Sequence, residues 1–183
     1  MMTKKNSTTS IVLIALFTAL TVLGTMIKIP LPTGAFVHLG NAVLLLAVLL
    51  IGYKKGALAG GLGFAIFDVM NGFAAEAPYF IIESFIVGGA AALMILFFKK
   101  KIDGIWKIIV IASATGIAKI IMTQIKNTVI GVLAGADIPI AFTSALSKLP
   151  ATLVNVTTTI IIVTLVYFPL KKAMDTIFNR NSF

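Results

Sequence analysis

Long apolar runs alternate with short clusters of proline, glycine and lysine along almost the whole chain. A membrane span needs roughly 20 mostly apolar residues, so runs of this kind predict transmembrane helices. The punctuation places them near residues 10-28, 39-53, 56-74, 78-98, 106-134 and 140-168. The second is short for a span and is expected to tilt or to sit among its neighbours, whereas the fifth and sixth are long enough to project beyond the hydrocarbon. The predicted fold class is all-α: one six-helix membrane bundle occupying 1-183, with no room for a second domain. The first run has no small-residue cleavage pattern and is expected to be a true helix rather than a signal peptide.

Composition sharpens this picture. The 183 residues are 59% hydrophobic and 11% charged, with a mean hydropathy of +1.08, too apolar for a domain that must clothe itself in polar surface. The net charge of +9 does not indicate nucleic acid, because the cations collect at helix ends instead of forming a stripe with interleaved aromatics. Lys4, Lys5, Lys54, Lys55, Lys99, Lys100, Lys101, Lys107, Lys171, Lys172 and Arg180 fall in the two tails and in alternate connections. Cations accumulate on the cytoplasmic side of short loops, so both ends are expected inside the cell. The opposite loops hold Lys28 and Lys148.

One outward connection stands out. Ile29 to His38 reads IPLPTGAFVH, and its two prolines and glycine exclude a continuous helix. It is placed either to lid an outward-facing cavity or to serve as a plain turn between spans.

Ionisable groups inside spans are costly and mark the interior of a bundle or a wet cavity. At a helical rise of about 1.5 Å per residue, Asp68 lies roughly 18 Å from the cytoplasmic start of the third helix, with Asn71 farther out. By the same measure Glu83 lies only about 8 Å in from the outer end of the fourth, one turn below Tyr79. Lys119 sits roughly 20 Å up the fifth helix, and Lys126 and Asn127 about 30 Å up. Thr115, Lys119, Thr123, Lys126 and Asn127 form a stripe there, while Lys148, Thr152, Asn155 and Thr159 share one face of the sixth. The polar groups thus converge on the outer half, with His38 and Asn41 at the same level. They either pair as structural ions, Asp68 and Glu83 neutralising Lys119 and Lys126, or line a pocket for a small polar molecule. Two small-residue pairs, Ala15 with Ala19 and Gly56 with Gly60, permit close helix approach, either within the bundle or to a partner.

There is no cysteine, no GxxxxGK[ST] phosphate loop, no HExxH and no GxSxG, so ATP hydrolysis, familiar hydrolase chemistry and thiol or metal sites have no foothold. Neither enzymatic activity nor a cofactor or metal is expected. A pump acting alone is disfavoured by the lack of a carboxylate relay in the inner half.

The AxxxA pair of the first helix, the Pro/Gly outer loop and the run HLGNAVLLLAVLLIGYKKGALAGGLGFAIFDVMNG from His38 to Gly72 resemble the substrate-binding S component of energy-coupling factor (ECF) vitamin transporters, over nearly the whole chain. The resemblance implies a vitamin receptor in a bacterial plasma membrane that associates with a transmembrane coupling subunit and two cytoplasmic ATPases. It implies docking through Ala15 and Ala19, substrate entry from outside beneath the Ile29 to His38 loop, and toppling in the membrane with ATP-driven reset. Substrate binding is expected among His38, Asn41, Asp68, Asn71, Tyr79, Glu83, Lys119, Lys126, Asn127 and Asn155. Asn41 stands where the subgroup commonly has an acidic residue.

The subgroup it resembles is labelled for riboflavin, hydroxymethylpyrimidine or vitamin B6. Trp106 lies at the cytoplasmic end, and Phe36, Phe73, Tyr79 and Phe142 offer limited ring surface for a tricyclic flavin. A small hydroxylated pyrimidine or pyridine is therefore expected ahead of riboflavin. The alternatives are a stand-alone membrane facilitator and a non-transporting scaffold or sensor.

Overall fold

The computed structural model describes residues 7–32 and 35–180. Lys4 and Lys5, the side chain of Arg180, and Thr33 and Gly34 of the proline-rich connection lie outside the described residues. Seven helices are present among them: α1 (Ser7–Met26), α2 (Gly40–Ile51), α3 (Tyr53–Met70), α4 (Ala77–Phe97), α5 (Ile105–Leu133), α6 (Ile138–Leu146) and α7 (Leu149–Arg180). Among the described residues four segments are long and apolar enough to cross a membrane: Thr8–Met26, Ala74–Phe97, Ile105–Leu133 and Leu149–Ile177. α2 has only 12 residues, and α3 carries Lys54, Lys55 and Asp68 within its 18.

The differences from expectation have local causes. The first helix stops at Met26 because the prolines hold the following chain extended. Lys28–Pro30 (β1) and Phe36–His38 (β2) pair antiparallel, with Lys28 opposite His38, so the two arms of the proline-rich connection form a small hairpin. The second break falls at Gly52, not at the lysine pair; its φ of +91° suits glycine. Lys54 and Lys55 thus lie in the first turn of α3. That helix ends at Met70, short of the expected 74, and a 3-10 turn (Ala74–Glu76) leads into α4. The expected 140-168 helix is two. Pro150 in the first turn of α7 has no N–H to continue α6 and clashes with its last carbonyls, so the chain turns at Ser147 and Lys148. Lys148 consequently leaves the helical face expected to join it to Thr152. α7 in turn runs through Pro169 to Arg180, well past 168.

α3 packs against α1, α2 and α4, α5 packs against α4, α6 and α7, and α2 contacts α4 and α7 across the middle. Gly56 and Gly60 lie against Val48 and Leu44 of α2, where an added Cβ would collide with Val48 backbone or the Leu44 side chain. The GxxxG pair is therefore consumed inside the bundle. Ala15 and Ala19 lie on the exposed face of α1, beside exposed Val12, Leu16 and Leu23.

The two ends of the bundle differ. One end is sealed by a dry core that includes Phe17, Leu45, Ile108, Ile111, Val163 and Tyr167. Lys54, Lys55, Lys99, Lys100, Lys101 and Lys107 gather near this end, where Lys99 and Lys100 turn the chain with φ of 51° and 60°. Asp103 pairs there with Lys107 at 2.7 Å, a hydrogen bond that lowers the Asp103 pKa. The outer girth is apolar, with Leu165 69% and Phe97 75% exposed, as expected where lipid is the solvent. The other end carries the hairpin and an open cavity.

Candidate functional site

The cavity is open, and its space is about 950 Å³ when the solvent at its mouth is included. It forms because four helices each turn one polar-aromatic face toward the same space beneath the hairpin. Phe64, Phe67 and Asp68 repeat at helical spacing on α3, and Tyr79, Phe80 and Glu83 do so on α4. Lys119, Thr123, Lys126 and Asn127 come from α5, and Thr152 and Asn155 from α7. Lys148 reaches the wall from the α6–α7 turn, and Glu76 from the 3-10 turn.

Two ion pairs cross the cavity wall. Lys119 pairs with Glu83, whose side chain is 3% exposed. Lys126 pairs with Glu76, which corrects the expected partnership of Lys126 with Asp68 or Glu83. Glu76 was missed because its direction depends on the turn between α3 and α4. The signal available was an acidic residue seven positions before Glu83, on the same helical face. The Tyr79 hydroxyl lies 2.8 Å from Glu83 Oε1 and 2.9 Å from the Met122 carbonyl oxygen, so its single proton serves two acceptors. Phe80 stands between two ammonium groups, Lys126 Nζ at 4.7 Å and Lys119 Nζ at 5.3 Å from its centroid, a cation–π arrangement that orients both lysines. Asp68 is buried, and its Oδ2 has no hydrogen-bond partner among the described residues.

The hairpin is tied down by Asn155. Its Oδ1 accepts the His38 backbone N–H at 2.8 Å, and its Nδ2 donates to the Phe36 carbonyl at 2.8 Å. One amide side chain thereby takes the place of a neighbouring strand. His38 Nδ1 accepts the Gly40 N–H at 3.2 Å, which leaves Nε2 to carry the proton of the neutral ring. The ring stands edge-on to Phe64 at 5.9 Å. Burial first, and then the charge of Lys119, push the His38 pKa down to about 3.

Of the residues singled out from sequence, His38, Asp68, Tyr79, Glu83, Lys119, Lys126, Asn127 and Asn155 line this cavity. Asn127 also donates to the Thr123 carbonyl, bracing its own helix. Asn41 lines a smaller neighbouring cavity. Asn71 is exposed, and its Oδ1 accepts from Lys28 Nζ at 3.0 Å; Lys28 itself lies over the Phe36 and Phe67 rings at 4.9 and 4.7 Å. Phe142 is 49% exposed on α6 and takes no part. Six rings nonetheless reach the cavity: Phe36, Phe64, Phe67, Phe73, Tyr79 and Phe80. Phe64, Phe67 and Phe80 escaped notice because phenylalanine in an apolar run reads as core whichever way it faces.

A lidded pocket rich in aromatic and charged groups, set at one end of an apolar bundle, is suited to capture a small polar ring. No curated protein matches the chain. The family described as ECF-type riboflavin transporter, S component, matches residues 5–172. S components are the vitamin-binding specificity subunits that work in the membrane with a coupling protein and ATPases. With the match taking in α1 to α6, most of α7 and both strands of the hairpin, the chain belongs to the ECF-type riboflavin transporter S component family.

Proposed function

We propose that this S component binds a small hydroxylated pyrimidine or pyridine, of the hydroxymethylpyrimidine or pyridoxine kind, from outside the cell. The supporting observation is Asp68. A buried carboxylate oxygen without a donor is costly unless a ligand supplies one, and an amino group or ring hydroxyl on a small heterocycle does so. The charged pairs Lys119–Glu83 and Lys126–Glu76 flank the same space and suit in-plane donors and acceptors, while Phe80 and Tyr79 offer faces for stacking.

Riboflavin is the second reading. Six aromatic rings at the cavity provide more stacking surface than the four expected from sequence, and the family description names this vitamin.

In the membrane the chain makes six crossings with both ends in the cytoplasm, α2 and α3 completing the set. The lysines gathered at the end away from the cavity support this orientation, which turns the hairpin outward. Ala15 and Ala19 meet the coupling subunit, and toppling on that partner delivers the vitamin. The test is binding by purified protein in detergent, followed by thermal shift and calorimetry with hydroxymethylpyrimidine, pyridoxine, thiamine and riboflavin. Tight binding of one of the first two is expected. Binding of riboflavin alone moves the second reading to first place, and no binding at all defeats the receptor reading. Uptake into liposomes without ATPases would instead identify a facilitator.

A further inference from the structure

Beneath the main cavity lies a second, narrow one with room for a group about the size of a water molecule, and Lys119 lines both. The same helix faces continue into it one turn deeper: Glu83 is followed by Val87 on α4, Asn155 by Thr159 on α7, and Lys119 is preceded by Thr115 on α5. The walls are otherwise aliphatic, with Leu44, Leu45 and Val48 of α2 and Val156 of α7.

Asn41 is the exception. It is buried, 9% exposed, and its Nδ2 has no hydrogen-bond partner among the described residues. An aliphatic side chain of similar size would remove the cost of that unpaired donor, so nothing in the packing calls for an amide here. An acceptor arriving in the cavity does.

Resting on the reading of the main cavity as a vitamin site, we infer that the lower cavity is its second compartment: it takes a short substituent of the bound ring that ends in a hydrogen-bond acceptor set against Asn41 Nδ2. Asn41 is then a specificity-determining residue. The ring is held above by the charged and aromatic walls, and the length and polarity of the substituent are read below. A bare methyl group enters the same space but leaves the amide unpaired, which penalises it relative to a hydroxymethyl.

The experiment compares matched ligand pairs by calorimetry on the full-length protein: hydroxymethylpyrimidine against its 5-methyl analogue, and pyridoxine against 4-deoxypyridoxine. The wild type is expected to prefer the hydroxylated member about tenfold or more. Asn41→Leu, which removes the donor, and Asn41→Asp, an isostere that replaces it with an acceptor, are each expected to reduce the preference to about threefold or less. The ligand-free Tm of Asn41→Leu is expected to equal or exceed that of the wild type, since an orphaned donor has been removed. Preference unchanged in both variants overturns the inference and leaves the lower cavity to water. A fall in ligand-free Tm for Asn41→Leu overturns it too, because the amide then serves the fold. Failure of every vitamin to bind wild type defeats the receptor reading and this inference together, whereas binding with unchanged preference defeats this inference alone.

Discussion

Asn155 on α7 grips His38 on the hairpin by its backbone, accepting the His38 N–H at 2.8 Å while its own amide donates to the Phe36 carbonyl. The lid is therefore latched to the bundle through groups that do not depend on which side chains the hairpin carries. Replacing Asn155 with Ala leaves two backbone groups of β2 without partners, at about 1–3 kcal/mol for the worse-placed of them. Asn155→Ala is expected to speed ligand release about tenfold or more, with a smaller effect on the association rate. Stopped-flow release gives that rate, and faster hydrogen exchange at the His38 amide ties the change to the latch.

Glu83 neutralises Lys119 at the centre of the site. Glu83→Gln leaves a nearly buried ammonium without its counter-ion, which costs about 3–5 kcal/mol in comparable buried pairs. The double variant Glu83→Gln/Lys119→Met is expected to regain much of that stability while binding no vitamin. Equal loss in the single and double variants, measured by denaturation in detergent, would remove the pair from the account.

His38 has a pKa of about 3 in the folded protein, against about 6.5 for an unperturbed histidine. Below pH 6.5 the unfolded chain binds a proton that the folded chain refuses, so this residue's contribution to stability falls as the pH is lowered toward 3. Because the ring is only partly shielded from the wet cavity, the loss between pH 7 and pH 5 is expected to be about 1–2 kcal/mol. His38→Gln should flatten that part of the stability–pH curve. A slope identical to wild type would place the pH sensitivity elsewhere.

The two small-residue pairs separate cleanly. Ala15 and Ala19 face outward, so Ala15→Trp is expected to leave vitamin affinity and Tm unchanged while abolishing copurification with the coupling subunit. Gly56 is pressed against Val48, and Gly56→Val is expected to destabilise the bundle by about 1–3 kcal/mol or more through overpacking. Copurification assays with Tm measured in parallel distinguish these outcomes.

Much of this architecture is legible in the amino-acid pattern, and the gaps have physical reasons. α4 and α5 begin and end within a residue or two of the expected positions, because each is a long apolar run closed off by lysines or glycine. The break at Gly52 and the split before Pro150 sit inside apolar runs, where hydropathy carries no boundary and backbone geometry decides. Helical spacing placed the polar stripe of α5 and the Thr152, Asn155 and Thr159 face of α7. It does not register that Asn155 serves the backbone of a segment more than a hundred residues away, since that pairing depends on the folded hairpin. Glu76 and Phe80 illustrate the remaining gap: which way a side chain points at the start of a helix is set by the turn before it.

The dry core at the end opposite the cavity bears on what an idle copy does to the cell. Ile108, Ile111 and Val163 are fully buried there, and an ion passing that way would have to shed its hydration with nothing polar in exchange. A receptor of this build is expected to be electrically silent, so that a membrane can hold many unpartnered copies without dissipating its ion gradients. Planar-bilayer recordings of the isolated protein are expected to show no conductance with or without vitamin, and a measurable current would mean that the insulating layer opens.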